Sequence, residues 1–146
     1  MFYSAYLNNF VLSAVSLATV WIFLVTTAFA EVKNIGIKEL QLFISEGIPL
    51  IDIREEFEWK ETGIVPSSHL LTFFDSAGHY NSSDWVERIE LIVSRDEPMI
   101  IICRSGRRSL LVANLLTDTY NFFKVYNVSE GILGWKIANL ETVALN

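Results

Sequence analysis

The sequence predicts an α/β domain in which a parallel sheet of about five strands is flanked by helices. Short apolar runs alternate with amphipathic segments from about residue 31 onward, which is the pattern of strands and helices in a parallel sheet. The run from Met99 to Cys103 is apolar throughout, as is typical of a central strand buried on both faces. Gly47 and Gly63 each follow an amphipathic segment and mark predicted helix ends.

The first half of the domain contains two predicted helices and two predicted strands. Apolar side chains recur at helical spacing over Ile37–Ile44, which predicts the first helix. Residues 49–53 predict a buried strand, and residues 69–73 predict a second one. Between them, Glu55 and Glu56 suit the positive N-terminal end of a short helix. The glutamates of this helix are expected to form a solvated face: Glu55, Glu56, Glu58 and Glu61.

The second half begins with a polar loop over residues 75–83. Asp84, followed three residues later by a glutamate, indicates the start of a helix. The apolar run 99–103 is the clearest strand, and residues 109–116 are apolar enough for a helix covered by protein. The last predicted elements are a strand over 123–128 and a helix over 131–138.

Residues 1–30 form a separate segment without Asp, Glu, Lys or Arg. An almost continuous apolar stretch, Phe10–Val25, is followed by a small-x-small pattern that ends at Ala30. This is the layout of a secretory signal peptide cleaved after Ala30. The alternative is a retained membrane anchor, since about 20 apolar residues span a bilayer. Both alternatives place the domain of residues 31–146 outside the cytoplasm, most simply in the periplasm.

The charge and cysteine content exclude several function classes. A net charge of −6 argues against a nucleic-acid partner, because phosphate contacts need a basic surface. The single cysteine excludes an intramolecular disulfide. His69 and His79 have no companions at metal-ligand spacing, so neither a metal nor another cofactor is expected.

The lone cysteine is followed by an arginine-rich loop. Cys103 lies at the carboxyl end of its strand, where open α/β sheets bind their ligands. Gly106 allows a tight curl in which successive backbone N–H groups converge on the sulfur. The following helix N-terminus and the arginines favour a thiolate nucleophile. Such a thiolate could attack a phosphate ester, forming a phosphocysteine, or take a sulfane sulfur, forming a persulfide.

Three stretches of the chain are informative together. They are the Asp-x-Arg stretch at Asp52, the six-residue loop Cys103-Arg-Ser-Gly-Arg-Arg108 and the closing stretch over 125–135. These stretches resemble the motifs of the rhodanese-like sulfurtransferases, whose loop also has six residues. The related phosphatases use seven, with an arginine six positions after the cysteine, where this chain has Ser109. The resemblance covers about residues 34–140.

The resemblance implies a sulfurtransferase in which Cys103 carries a persulfide. The donor is expected to be a small anion such as thiosulfate, and the acceptor cyanide, a thiol or an exported thiol protein. Arg104 is expected to orient the donor, with help from Arg107 and Arg108, although one of these two could pair with an acid. The alternatives are an exported sulfur-carrier or partner-binding module and a cysteine-dependent phosphatase or arsenate reductase.

The remaining loop residues and a neighbouring pair have expected supporting roles. Ser105 is expected to donate its hydroxyl to the sulfur, and Gly106 to act through its backbone. Asp52 and Arg54 lie at the end of a neighbouring strand and are predicted to form a buried ion pair that braces the loop.

Overall fold

The computed structural model describes residues 32–145 and confirms the predicted α/β architecture. Five strands form one sheet in the order β1-β5-β4-β2-β3, and each neighbouring pair is parallel. The strands are β1 Lys33–Ile35, β2 Leu50–Asp52, β3 His69–Leu70, β4 Met99–Ile102 and β5 Val125–Val128. The helices are α1 Ile37–Ser45, α2 Glu56–Thr62, α3 Ser82–Ile89, α4 Arg107–Tyr120 and α5 Gly131–Ile137.

The sheet separates two hydrophobic clusters. Alternate residues of β4 enter different clusters, as the two-residue period of a strand requires. Ile100 and Ile102 pack with residues of α1 and α5 on one face. Met99 and Ile101 pack with residues of α3 and α4 on the other face, where Cys103 continues the alternation. The cysteine therefore lies at the carboxyl edge of the central strand, on the α3–α4 side.

The boundaries of several elements differ from the sequence predictions, most clearly in β3, α3 and α4. The strand predicted over 69–73 is only two residues long, although the amides of Leu71 and Phe73 still donate to carbonyls at and after the end of β2. Helix α3 begins earlier than predicted, because the side chain of Asn81 accepts a hydrogen bond from the Asp84 amide and caps it. Helix α4 begins two residues before the predicted Ser109 and ends at Tyr120.

The predicted signal or anchor segment over residues 1–30 lies outside the described residues. Among residues 32–145, none of the helices combines the length and the hydropathy needed to cross a bilayer.

Candidate active site

The sulfur of Cys103 is enclosed and has one hydroxyl donor. Cys103 is 1% exposed and directly follows β4. The Ser109 hydroxyl, itself fully buried, donates to Sγ over 3.3 Å. Sequence reasoning assigned this donor role to Ser105, but Ser105 is exposed and the bond is made by Ser109. The reason is that α4 already starts at Arg107, so residue 109 lies on the inward face of its first turn.

Gly106 gives the loop its turn into α4. Its φ of +84° lies in the left-handed region, and it is the residue that precedes the helix. A Cβ at this position would lie 2.1 Å from the carbonyl oxygen of Ser129 and 2.8 Å from that of Val128. The loop thus passes so close to the end of β5 that only glycine fits.

The N-terminus of α5 holds the start of the loop from the other side. The amide of Ile132 donates to the carbonyl of Cys103 over 2.9 Å, and the amide of Leu133 donates to that of Arg104 over 3.1 Å. Gly131 approaches so closely that a Cβ there would lie 2.4 Å from the Arg104 carbonyl oxygen. The loop therefore packs closely against the end of β5 at Gly106 and against the start of α5 at Gly131.

The end of the loop is tied to α2 by an ion pair. Arg108 donates from Nη1 to Oε2 of Glu58 over 2.9 Å and from Nη2 to Oε1 over 2.6 Å. Burial alone would raise the pKa of Glu58, but hydrogen bonds from Arg108 and the Glu55 amide outweigh it and lower that pKa. The hydrogen bond with Glu58 likewise raises the pKa of Arg108. Glu58 is buried, so its predicted place on a solvated face was wrong.

The three loop arginines therefore differ in their surroundings. Arg108 is the member that pairs with an acid, as the sequence allowed for one of them. Arg104 and Arg107 are exposed and carry positive charge at the surface of the loop. Their contact with a donor, and any such contact of Arg108, remain predictions.

Asp52 and Arg54 form a fully buried ion pair. Arg54 Nε and Nη2 donate to the Asp52 carboxylate over 2.6–3.0 Å. The other guanidinium contacts reach α2 and its end, at the Glu58 carbonyl, the Thr62 hydroxyl and the Gly63 carbonyl. These hydrogen bonds reach α2, which carries the Glu58 carboxylate that binds Arg108. Any bracing of the loop by this pair therefore acts through α2.

Sequence reasoning missed Glu58, Ser109 and Gly131 as site residues. Glu58 and Arg108 are fifty positions apart, and no local pattern links them. A signal for Ser109 was available, because it shares a helical face with the apolar Val112 and Leu116, three and seven positions later. Within the described residues, no group of three or more His, Cys, Asp and Glu side chains could hold a metal ion.

Comparisons with known proteins show the family of this chain. The sequence profile of the rhodanese-like domain matches residues 37–138. YtwF of Bacillus subtilis, whose name designates it a candidate sulfurtransferase, is 32% identical over 106 residues, covering 73% of this chain and 89% of its own length. The thiosulfate sulfurtransferase GlpE of Pseudomonas savastanoi is 26% identical over 106 residues, with the same coverage of each chain. A solved rhodanese-related protein from Thermoplasma volcanium matches with a TM-score of 0.58 at 24% identity, covering 77% of this chain and 99% of that one. With a profile match over most of its length and a relative above 30% identity, this chain belongs to the rhodanese-like domain family.

Proposed function

We propose that the protein is a sulfurtransferase that moves a sulfane sulfur from a thiosulfate-like anion to cyanide or a thiol. The observation that carries the proposal is the enclosed Sγ of Cys103, which receives a hydroxyl hydrogen bond beneath a loop with two exposed arginines. The hydroxyl hydrogen bond fixes the position of the sulfur, and the arginines attract an anionic donor.

The reaction has two covalent steps. The Cys103 thiolate attacks the outer sulfur of thiosulfate, the S–S bond of the donor breaks, and sulfite leaves with the bonding electron pair. Cyanide or a thiolate then attacks the outer sulfur of the persulfide and releases thiocyanate or a new persulfide. Cys103 leaves as the thiolate, so the second step restores the starting state.

The size of the site favours sulfur over a phosphoryl group. Cys103 is 1% exposed, and the loop from Cys103 to Arg108 has six residues. A phosphoryl group needs a wider loop and an arginine at its end that is free to hold phosphate oxygens. Here Arg108 is engaged by Glu58, and the next position is Ser109.

Thiocyanate formation from thiosulfate and cyanide tests this function. We expect turnover by the wild type, none by Cys103→Ser, and a severalfold higher KM for thiosulfate in Arg104→Ala. Arg88→Ala, which removes an exposed arginine of α3, is the control and should keep the KM of the wild type for thiosulfate.

Two other outcomes would favour the alternative functions. A fast burst of one equivalent followed by negligible turnover would favour the sulfur-carrier module instead. Turnover of aryl phosphates without sulfur transfer would favour the phosphatase.

We also propose that the domain works outside the cytoplasm. The support is the uncharged apolar stretch of residues 1–30 and the small residues before Glu31. Cell fractionation followed by N-terminal sequencing tests this proposal. A periplasmic protein beginning at Glu31 indicates cleavage, an intact chain in the membrane fraction indicates the anchor, and an intact cytoplasmic chain contradicts both.

A further inference from the structure

An apolar recess lies on the α3–α4 side of the sheet, the side that also carries Cys103. It is a hollow of about 270 Å³ lined by Phe73, Phe74, Tyr80, Leu111, Val112 and Leu115. None of these side chains carries a charge at neutral pH. The volume is close to the lower limit of small-molecule sites, which suits a group the size of one ring.

The aromatic wall of the hollow is packed in place. The ring of Phe73 lies 4.9 Å from that of Tyr80 in a stacked arrangement and 5.1 Å from that of Trp85 edge to face, measured between centroids. Phe74 lies 4.8 Å from Phe73. Trp85 is fixed in turn by a hydrogen bond from Nε1 to the Leu71 carbonyl. A pocket with a packed wall can bind a ring without first reorganising.

The hollow and the cysteine are near neighbours. Val112, which lines the hollow, lies three residues after Ser109 on the same face of α4, about 4.5 Å along the helix axis. Ser109 is the residue that binds Sγ. Val112 and Phe73 also belong to the same packed cluster as Cys103. The hollow therefore lies within about one helical turn of the residue that binds the sulfur.

The charges of the two regions differ. The loop presents Arg104 and Arg107 to solvent, which suits an anionic donor. The hollow offers no charged partner, and its exposed members Tyr80 and Leu111 leave apolar surface open to solvent. A neutral apolar group gains by covering that surface, whereas cyanide or a charged acceptor does not.

We propose that the acceptor is a small thiol that carries an aromatic ring, with the ring bound in the hollow. This inference rests on the proposed sulfur transfer and names the class of its acceptor. The bound thiolate attacks the outer sulfur of the Cys103 persulfide, and the bond between that sulfur and Sγ breaks. Cys103 leaves as the thiolate, and the acceptor leaves as a persulfide.

The test compares two acceptors that differ only in the ring. Cys103 is loaded with thiosulfate, and its discharge by 3-phenylpropane-1-thiol and by propane-1-thiol is followed. We expect the phenyl thiol to react at least about tenfold faster at equal concentration, and this ratio to fall below about threefold in Leu111→Gln. Leu91→Gln, which removes an exposed leucine outside the hollow, should keep the full ratio. A ratio near one in the wild type, or a ratio unchanged in Leu111→Gln, overturns the inference.

A binding measurement separates this inference from the sulfur chemistry. The unreactive alcohol 3-phenylpropan-1-ol is titrated into Cys103→Ser, with the Tyr80 ring resonances as the readout. We expect saturable shifts that are lost when Leu111→Gln is added. Normal sulfur loading without such binding overturns the acceptor class alone. Binding without any sulfur loading overturns the proposed function, and with it the acceptor role of the hollow.

Discussion

Glu58 and Arg108 lie fifty residues apart in the sequence and join α2 to the end of the cysteine loop through two hydrogen bonds. Glu58 Oε2 also accepts the amide of Glu55, so the same carboxylate caps the start of α2. The helix cap and the loop anchor are therefore one group. Losing the charge of Glu58 should weaken both.

Glu58→Gln is expected to cost about 1–2 kcal/mol of unfolding free energy and to slow sulfur uptake by Cys103, because Arg108 loses its charged partner. Chemical denaturation and the rate of persulfide formation are the measurements. Glu56→Gln is the matched control, since Glu56 pairs with Lys60 on the exposed face of the same helix. Equal effects of the two variants would contradict a special role for the Glu58–Arg108 pair.

The same pair predicts a pH dependence of stability. The pKa of Glu58 is lower in the folded protein than its ordinary value of 4.5, so folding favours the ionised carboxylate. The stabilisation of the folded state by the ionised Glu58 is complete above the ordinary pKa. It is lost as the pH falls through the lower, folded-state pKa. The stability difference between wild type and Glu58→Gln should therefore narrow as the pH falls from about 6 to about 3. A difference that stays constant over this range would show that the ionisation of Glu58 does not contribute.

Asp52→Asn is expected to lower the unfolding free energy by about 3–5 kcal/mol, since it leaves the charge of Arg54 buried without its counter-ion. Asp96→Asn, at an exposed position, should change stability by less than about 0.5 kcal/mol. Thermal or denaturant unfolding measures both variants. A small effect of Asp52→Asn would mean that the pair does not hold α2 in place.

Gly106→Ala tests the close approach of the loop to the end of β5. Gly47 is the matched control, because it has a similar positive φ of +81° with nothing within 4 Å of an added Cβ. Gly47→Ala should cost about 1 kcal/mol for backbone strain alone. Gly106→Ala should cost about 3 kcal/mol or more and block sulfur uptake, because the added carbon meets the Ser129 carbonyl. Similar losses for both variants would argue that the loop can shift to make room.

Ser109→Ala and Ser105→Ala test which hydroxyl serves the sulfur. Ser109 donates to Sγ, so its loss should slow persulfide formation about tenfold at neutral pH. Ser105 is exposed, and its loss should change that rate by less than about twofold. Stopped-flow or quenched measurements of thiosulfate consumption would decide. The reverse order of effects would restore the role that the sequence suggested for Ser105.

The sequence predicted those parts of the fold that depend on hydrophobic pattern. The all-apolar run ending at Cys103 became β4, and its place at the carboxyl edge of the sheet followed from the parallel topology. Strand β1 was missed because only Ile35 of its three residues is buried. The strand forms because it pairs in parallel with β5, a contact that the hydrophobic pattern of residues 33–35 does not indicate.

The supporting contacts of the site were harder to predict because they join distant segments. Glu58 looked like a member of a solvated face, because Glu55, Glu56 and Glu61 lie close to it in the sequence. Only the folded chain shows that α2 turns this glutamate toward Arg108. The role of Gly131 could not be predicted for the same reason. It allows α5 to pack against the carbonyls of Cys103 and Arg104, which are distant in sequence.

The proposed sulfur transfer requires Cys103 to carry the transferred sulfur. Intact-protein mass spectrometry after incubation with thiosulfate detects that sulfur. We predict a gain of one sulfur atom that is removed by cyanide and is absent in Cys103→Ser. An unchanged mass with every sulfane donor tried, or the same gain in Cys103→Ser, would show that Cys103 is not the sulfur carrier.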